Sequence, residues 1–384
     1  MGASSFHNKE LDNKDKTTFS QIRNKIDEMK KNIKQIESKI KYIENMSETI
    51  SLKIDKNKDN DKTIEKMDII IEKMELIIAS FISIIPSKRK LYNNIDIPLI
   101  GLGTSRIKNV EEVVYHSIKD GIRLIDTALL YKNEEEIGKG IKRAIDEGIV
   151  KREDLFIVDK LWIDDKSNPE KALKEALKKL KLDYIDLYLD HWPSGDILIK
   201  DKEAKTVPIF ELWPKMEQLV EKNLTKSIGC SNYNVQSLLN LLSFCKIKPA
   251  VNQVEFHPYY YQKGLKDFCD KENIAIMAYY PLARGNGARN YIKDHNGEMD
   301  LFKEKKVKKL SEKYEKTEGQ IIINWHIHQG IIAIPSTSKI ERMKENLDSL
   351  FFEMEEEDVE KLCRFGKKMK FCGCKRFFGY DIMA

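Results

Sequence analysis

Four ionisable side chains stand at the ends of consecutive runs that resemble β-strands. Asp126 and Tyr131 lie in IDTALLY, Lys160 lies in IVDKLW, and His191 lies in LDHWP. A lysine beside a carboxylate stays charged, and its ammonium stabilises a developing tyrosinate. A tyrosine with an ordinary pKa of about 10 then becomes a usable proton donor to an oxyanion, and a nearby histidine can orient a carbonyl oxygen. Together the four residues predict carbonyl reduction, in which hydride reaches the carbon and Tyr131 protonates the oxygen.

Each of these residues alone also has a purely structural explanation. Asp126 and Lys160 would form an ion pair in the wall of a fold, Tyr131 would be a half-buried wall residue, and His191 would be a hydrogen-bonded core histidine. Four such groups that converge at strand ends are hard to explain by structure alone, and we therefore favour the catalytic interpretation.

The elements that must position these residues alternate along the chain. Eight short β-branched runs are separated by amphipathic helical stretches, and the runs are LIGLGT, RLIDTA, LFIVDKLW, YIDLYLDHW, TKSIGCSN, PAVNQVEF, IAIMAYYPL and IIAIPSTS. This repetition predicts an α/β protein, a (β/α)8 TIM barrel over residues 89–384, with KLYNNIDIP as a hairpin that closes its bottom. In this architecture the chemistry belongs at the C-terminal ends of the strands, where the four residues lie.

Residues 1–88 form a different, highly charged segment with a heptad-spaced apolar seam. The seam residues before its polar interruption are Ile22, Ile26, Met29, Ile33, Ile36, Ile40, Ile43, Met46 and Ile50. The polar stretch DKNKDNDK follows, and the pattern then resumes through Ile78. We predict an α-helical, coiled-coil-like arm of two helices. Its seam, within residues 22–85, would fold back on itself, drive self-association or bind a partner helix.

Composition excludes several classes of protein. The chain has 384 residues, with 67 basic and 62 acidic residues and a net charge of +5, and this near-balance argues against nucleic-acid binding. The longest apolar stretch, LIIASFISII, is well below the roughly 18 residues of a membrane span. The polar start of the chain and its six cysteines predict a cytoplasmic protein with free thiols. No Cys/His spacing predicts a metal site.

The body resembles the aldo-keto reductase family over about residues 91–365. The matching strings, in the family's order and spacing, are GLGT, IDTALLY, NEEEIGKGI, KLW, LDYIDLYLDHWP, IGCSNY, PAVNQVEFHPY, AYYPL and IPSTSKIERMKEN. The resemblance implies an NADP-dependent oxidoreductase that reduces aldehydes or ketones with NADPH. Tyr131 would be the general acid, Lys160 and Asp126 would tune it, and His191 would orient the substrate. Trp162 and Trp192 would be walls of the substrate pocket.

The resemblance also assigns a cofactor site by position. Ser231, Asn232 and Gln253 would hold the nicotinamide amide, Tyr279 would stack on the nicotinamide ring, Arg342, Glu345 and Asn346 would bind the adenosine end, and Leu282, Ser336 and Thr337 would complete the site. The family often has a lysine where this chain has Ser336, so NADH remains open as a second cofactor. The family's substrate-pocket tryptophan after GLGT is replaced by Ser105 here, which predicts a wider pocket on that side.

Other features leave alternatives open. Asp159 and Asp190 directly precede Lys160 and His191, and alternation along a strand predicts that both point towards the helices. Lysines of the helices would neutralise them there, or water would hydrate them at the strand ends, or they would bias the catalytic groups electrostatically. The aromatic tail, residues 366–384, is expected to fold over the barrel mouth, or else to be a solvated terminus. A rival function is a nicotinamide-binding sensor or scaffold whose arm recruits a partner.

Overall fold

A computed structural model describes residues 87–193, 207–283, 300–366 and 369–372. The predicted helical arm and its seam lie outside these residues, so the division of the chain at residues 88 and 89 stays a prediction. No helix in the described part of the chain is long and apolar enough to cross a membrane.

The first described element is the predicted hairpin. Strands β1 (Lys88–Lys90) and β2 (Asp96–Pro98) pair antiparallel, with Arg89 opposite Ile97. Ile97 is fully buried, and the hydroxyl of Tyr92 in the turn donates a hydrogen bond to the carbonyl of Lys248 at 2.8 Å. The hairpin therefore packs against the bottom of the body, as the sequence predicted.

The barrel consists of eight parallel strands in chain order. They are β3 (Leu102–Gly103), β4 (Leu124–Asp126), β5 (Phe156–Leu161), β6 (Ile185–Asp190), β7 (Thr225–Ser231), β8 (Val251–Glu255), β9 (Ala275–Tyr279) and β10 (Ile332–Ala333). The Gly101 N–H donates to the Ala333 carbonyl at 2.9 Å and the Ala333 N–H donates to Leu99 at 2.8 Å, which joins the first strand region to the last. All eight predicted strands and the (β/α)8 barrel are confirmed.

Helices surround the barrel. They are α1 (Val110–Lys119), α2 (Glu134–Asp146), α3 (Pro169–Leu180), α4 (Ile209–Glu221), α5 (Val235–Leu242), α6 (Lys263–Lys271), α7 (Lys305–Tyr314), α8 (Glu318–His328), α9 (Glu341–Leu347) and α10 (Glu356–Cys363). Helix α3 shows why such segments fold: Pro169 occupies its first turn, and the Asn168 side chain accepts a hydrogen bond from the Lys171 N–H at 3.1 Å. Its buried residues recur at helical spacing and face the strands.

The strands bury both of their faces, one inside the barrel and one beneath the helices. Every residue of β5 and β6 is buried. Lys160 pairs with Asp126 of β4, which places both side chains on the inner face. Alternation then turns Asp159 outward, and Asp190 contacts residues of the outer layer. The contacts of Asp190 agree with the predicted orientation, and the orientation of Asp159 stays a prediction.

Candidate active site at the barrel mouth

The centre of the site is a buried ion pair. Lys160 Nζ lies 2.7 Å from Asp126 Oδ1 and donates a second hydrogen bond, also 2.7 Å long, to the Thr127 carbonyl. Burial disfavours the ammonium, but the negative charge of Asp126 and the hydrogen bond that Lys160 donates to it raise the pKa of Lys160. Lys160 therefore carries a full positive charge in the interior of the barrel.

Tyr131 stands over this charge. It lies in the short 3-10 helix Leu129–Tyr131 that follows β4, and Lys160 Nζ is 5.0 Å from the centre of its ring. Sequence analysis expected the cation to make the phenol more acidic. In the structure, burial raises the pKa of Tyr131 and the Lys160 ammonium opposes that rise without cancelling it. Tyr131 is therefore protonated at neutral pH, which is the state that a proton donor requires.

His191 follows β6 and is enclosed by aromatic rings. Its ring centre lies 6.1 Å from that of Tyr131 and 5.3 Å from that of Trp162, and the indole of Trp192 stacks on it at 6.4 Å. Burial lowers the pKa of His191 well below its usual value, and the Lys160 and Lys166 ammonium groups lower it further. The imidazole is therefore neutral, and it can donate a hydrogen bond to a carbonyl oxygen without competing as a proton source.

Polar side chains at the ends of β7, β8 and β9 are joined to these groups. Gln253 Nε2 donates to Asp126 Oδ2 at 2.7 Å, and Ser231 Oγ donates to the Gln253 carbonyl at 2.8 Å. Asn232 donates to the His191 carbonyl at 2.9 Å and accepts a hydrogen bond from the Tyr279 hydroxyl at 2.8 Å. The structure thus brings the residues assigned to the nicotinamide amide into one network with Asp126 and His191.

The backbone conformation of Asn232 orients its side chain within this network. Its φ of 65° lies in the left-handed region, which asparagine tolerates better than most residues with a side chain. This turn directly after β7 points the Asn232 carboxamide back towards His191. Tyr279 is half-buried, and its hydroxyl bond to Asn232 fixes the orientation of a flat ring beside that carboxamide.

The other predicted cofactor residues lie after β9, after β10 and on α9. Ser336 and Thr337 follow β10, and the Ser336 hydroxyl is 3.5 Å from the Ser105 carbonyl. Arg342, Glu345 and Asn346 all lie on α9, where Arg342 is exposed and Asn346 is buried. Leu282 is half-buried after β9. Arg342, Glu345 and Asn346 therefore share one helix, which makes no hydrogen bond or ion pair with Lys160 or Asp126 among the described residues.

Asp190 is neutralised by residues that sequence analysis missed. Lys166 Nζ lies 2.8 Å from Asp190 Oδ1 and 2.6 Å from the Trp192 carbonyl, and the Tyr233 hydroxyl donates to Asp190 Oδ2 at 2.7 Å. Lys166 follows the 3-10 helix Ile163–Asp165, and its spacing in the sequence gives no sign of this role. A lysine neutralises Asp190, but it lies in the turn after β5 and not on one of the helices from which such a lysine was expected.

Asp159 has a different environment. Its Oδ1 accepts the Lys160 N–H at 2.7 Å, and its Oδ2 is buried without a hydrogen-bond partner among the described residues. Burial, reinforced by the nearby carboxylate of Glu134, raises the pKa of Asp159 to about 7. Among the described residues no lysine forms an ion pair with Asp159 as Lys166 does with Asp190, and Asp159 is therefore a source of pH-dependent stability.

Asp159→Asn should flatten the pH dependence of stability between pH about 4 and about 7. Folding raises the pKa of Asp159 from its usual value of about 4, so the folded protein binds the proton more tightly than the unfolded chain. The contribution of Asp159 is therefore favourable at low pH and is lost as the pH rises to about 7. Urea unfolding at pH 5 and pH 8 measures this change, and Asp183→Asn, at an exposed carboxylate, is the control. An unchanged difference between the two pH values would contradict the assignment.

The described residues contain no group of three or more His, Cys, Asp or Glu side chains that could hold a metal ion. Cys374, one of the two tail cysteines considered in the sequence, lies outside the described part of the chain.

Comparisons with known proteins agree with this geometry. The model of the Aldo/keto reductase family matches residues 99–366. Aldose reductase B of Dictyostelium discoideum is 39% identical, over 72% of this chain and 91% of that protein. An NAD(P)H-dependent D-xylose reductase of Pyricularia oryzae is 36% identical, over 76% of this chain and 96% of that protein. The structure of a Bombyx mori aldo-keto reductase in complex with NADP superposes with a TM-score of 0.69 at 33% identity, over 77% of this chain and 98% of that chain.

The family match spans the barrel strands. It also includes the four ionisable residues Asp126, Tyr131, Lys160 and His191. The two relatives are matched over nearly their whole length, and the superposition covers nearly all of the solved chain. The chain belongs to the aldo/keto reductase family.

Proposed function

We propose that this protein reduces aldehydes or ketones to alcohols with hydride from NADPH. The observation that carries the proposal is the arrangement of Tyr131 over the buried Lys160–Asp126 pair, with neutral His191 beside it. NADPH supplies the hydride when it is bound. The similarity to a D-xylose reductase described as NAD(P)H-dependent and to a structure in complex with NADP supports this cofactor and keeps NADH as an alternative.

The residues present fit a nicotinamide cofactor. Ser231, Asn232 and Gln253 offer hydroxyl and carboxamide groups at adjoining strand ends, as a carboxamide ligand requires. Tyr279 offers a half-buried aromatic ring next to them. We assign the nicotinamide end to these residues, and the adenosine end to Arg342, Glu345 and Asn346.

The protein's own groups perform four tasks in the proposed reaction. His191 donates a hydrogen bond that orients the carbonyl oxygen. As hydride reaches the carbon, Tyr131 transfers its proton to that oxygen. Lys160 stabilises the resulting tyrosinate charge, and Asp126 holds Lys160 in place. Trp162 and Trp192 exclude water and form the apolar sides of the pocket.

A panel of aldehydes and ketones, monitored by the loss of NADPH absorbance, tests this function on the full chain. Turnover that saturates with both substrate and NADPH is expected. If NADPH binds and no carbonyl compound is reduced, the rival function of a nicotinamide-binding sensor or scaffold would replace the proposal. The same assay on residues 89–384 asks whether catalysis needs the arm.

Arg342→Ala should weaken NADPH binding by about tenfold or more and leave NADH binding nearly unchanged. The reason is that an arginine fork forms charge-assisted hydrogen bonds with a 2′-phosphate, which NADH lacks. Fluorescence titration of both cofactors measures the effect. Arg364→Ala removes an equally exposed arginine, on the segment that follows α10, and is the matched control. Equal losses for the two cofactors would show that Arg342 does not contact that phosphate.

Two further assignments rest on sequence. Self-association through residues 22–85 stays a prediction, which light scattering of the full chain and of residues 89–384 would test. Cytoplasmic residence is likewise proposed, and the thiols of Cys230 and Cys269, buried and not in disulfides, suit a reducing compartment.

A further inference from the structure

A short segment near the C-terminus is fastened to the end of β8. The Met369 N–H donates to the Tyr259 carbonyl at 2.9 Å. The Phe371 N–H donates to Glu255 Oε1 at 2.6 Å, and the Cys372 N–H donates to Glu255 Oε2 at 2.7 Å. Each oxygen of one carboxylate therefore holds one of two consecutive backbone donors. We call residues 369–372 the anchored segment.

Glu255 is a carboxylate in a buried position, where a negative charge is unusual. It is the last residue of β8 and is fully buried, and its Oε1 also lies 2.9 Å from His257 Nε2. A buried carboxylate is costly unless hydrogen bonds satisfy it, and hydrogen bonds to a charged acceptor are stronger than neutral ones. Glu255 and the anchored segment therefore depend on each other: the segment satisfies the charge, and the charge holds the segment.

The anchored segment lies close to the proposed active site. Glu255 lies two residues beyond Gln253 on β8, so the two side chains share a face of the strand, and Gln253 is bonded to Asp126. The Phe371 ring centre is 5.2 Å from that of His257. Glu255 ends β8 at the rim where Gln253 reaches Asp126, and it holds Phe371 and Cys372 by their backbone N–H groups. The anchored segment therefore lies at the rim of the barrel that carries the proposed acid–base groups.

We propose that Glu255 is a positioning residue that fixes Phe371 and Cys372 as one wall of the substrate pocket. It acts through the backbone of the anchored segment and not on the reacting atoms. The proposal rests on the proposed carbonyl reductase function, and it adds a residue that sets the affinity for large substrates. A small aldehyde would react without touching this wall, whereas an aromatic aldehyde would contact it.

The first test compares Glu255→Gln with the unaltered full chain. The glutamine side chain has nearly the same size but keeps only one acceptor oxygen, and its amide opposes the second N–H. We expect KM for nitrobenzaldehyde to rise by about tenfold, with kcat, KM for glyceraldehyde and the NADPH dissociation constant within about twofold. The control is Asp358→Asn, which neutralises another buried carboxylate, bonded to Lys313 and Tyr314 on α7. It should leave both KM values unchanged.

The second test removes the donor instead of the acceptor. Cys372→Pro and Cys372→Ala both lose the thiol, but only the proline variant loses the N–H that binds Glu255. KM for nitrobenzaldehyde should be about tenfold higher in Cys372→Pro than in Cys372→Ala. Adding Glu255→Gln to Cys372→Pro should change that KM little further. This pair decides the question even if Glu255→Gln folds poorly.

Three results would overturn the proposal. One is equal kinetics for the two Cys372 variants, another is full additivity of Glu255→Gln and Cys372→Pro, and the third is a rise in KM that is the same for both aldehydes. Failure of the proposed function is a separate outcome, because the unaltered chain would then reduce neither aldehyde.

Discussion

Tyr131→Phe should lower kcat for carbonyl reduction by a factor of about a hundred to ten thousand. Only the proton donor is lost, and general acid catalysis contributes a factor of that size. The phenyl ring retains the packing of Tyr131 against His191, and the Lys160–Asp126 pair does not need the hydroxyl. NADPH binding should therefore stay nearly intact.

Steady-state kinetics and a fluorescence titration of NADPH measure the two expectations for Tyr131→Phe separately. Tyr115→Phe is the matched control, because its hydroxyl donates to Glu147 on the outside of the barrel, away from the site. A Tyr131→Phe enzyme with turnover within a few-fold of normal would disprove the assignment of Tyr131 as general acid.

Lys166→Met should lower the free energy of unfolding by about 3 to 5 kcal/mol, because it leaves Asp190 buried without its cation. The side chains of Lys166 and Asp190 are 3% and 0% exposed. Pairing Lys166→Met with Asp190→Leu removes both charges and should recover most of the lost stability.

Lys142→Met supplies the comparison for this buried pair. It breaks an ion pair of the same length, 2.8 Å, with Asp146 on the surface of α2, and should cost less than about 1 kcal/mol. Chemical denaturation of the three variants gives these numbers. Similar losses for Lys166→Met and Lys142→Met would show that burial does not determine the strength of the Lys166–Asp190 interaction.

The sequence predicted the fold and the centre of the site because both depend on patterns along the chain. Strand periodicity identifies all eight barrel strands and the faces on which Asp159 and Asp190 lie. Strand ends in a parallel barrel must meet at one rim, so Asp126, Lys160 and His191 were expected to converge before any distance was known.

The partners of these residues could not be predicted in the same way. Lys166 reaches Asp190 from a connecting turn, and Glu255 binds backbone donors more than a hundred residues away. Such contacts depend on how loops cross the barrel mouth, which no local pattern encodes. The net effect on the pKa of Tyr131 could not be predicted either, because the balance between burial and the Lys160 charge depends on the depth of the side chain.

The hydrogen bonds around Gln253 and Asn232 have a consequence for how this enzyme could evolve. Because Gln253 is bonded to Asp126, and Asn232 to His191 and Tyr279, a substitution at the nicotinamide end would also disturb the acid–base groups. Arg342, assigned to the other end of the proposed cofactor site, is an exposed residue of α9 and makes no hydrogen bond to that network among the described residues. Substitutions on α9 can therefore change the preference between NADPH and NADH while the reaction itself is preserved. Selection can act on cofactor preference and on the reaction separately.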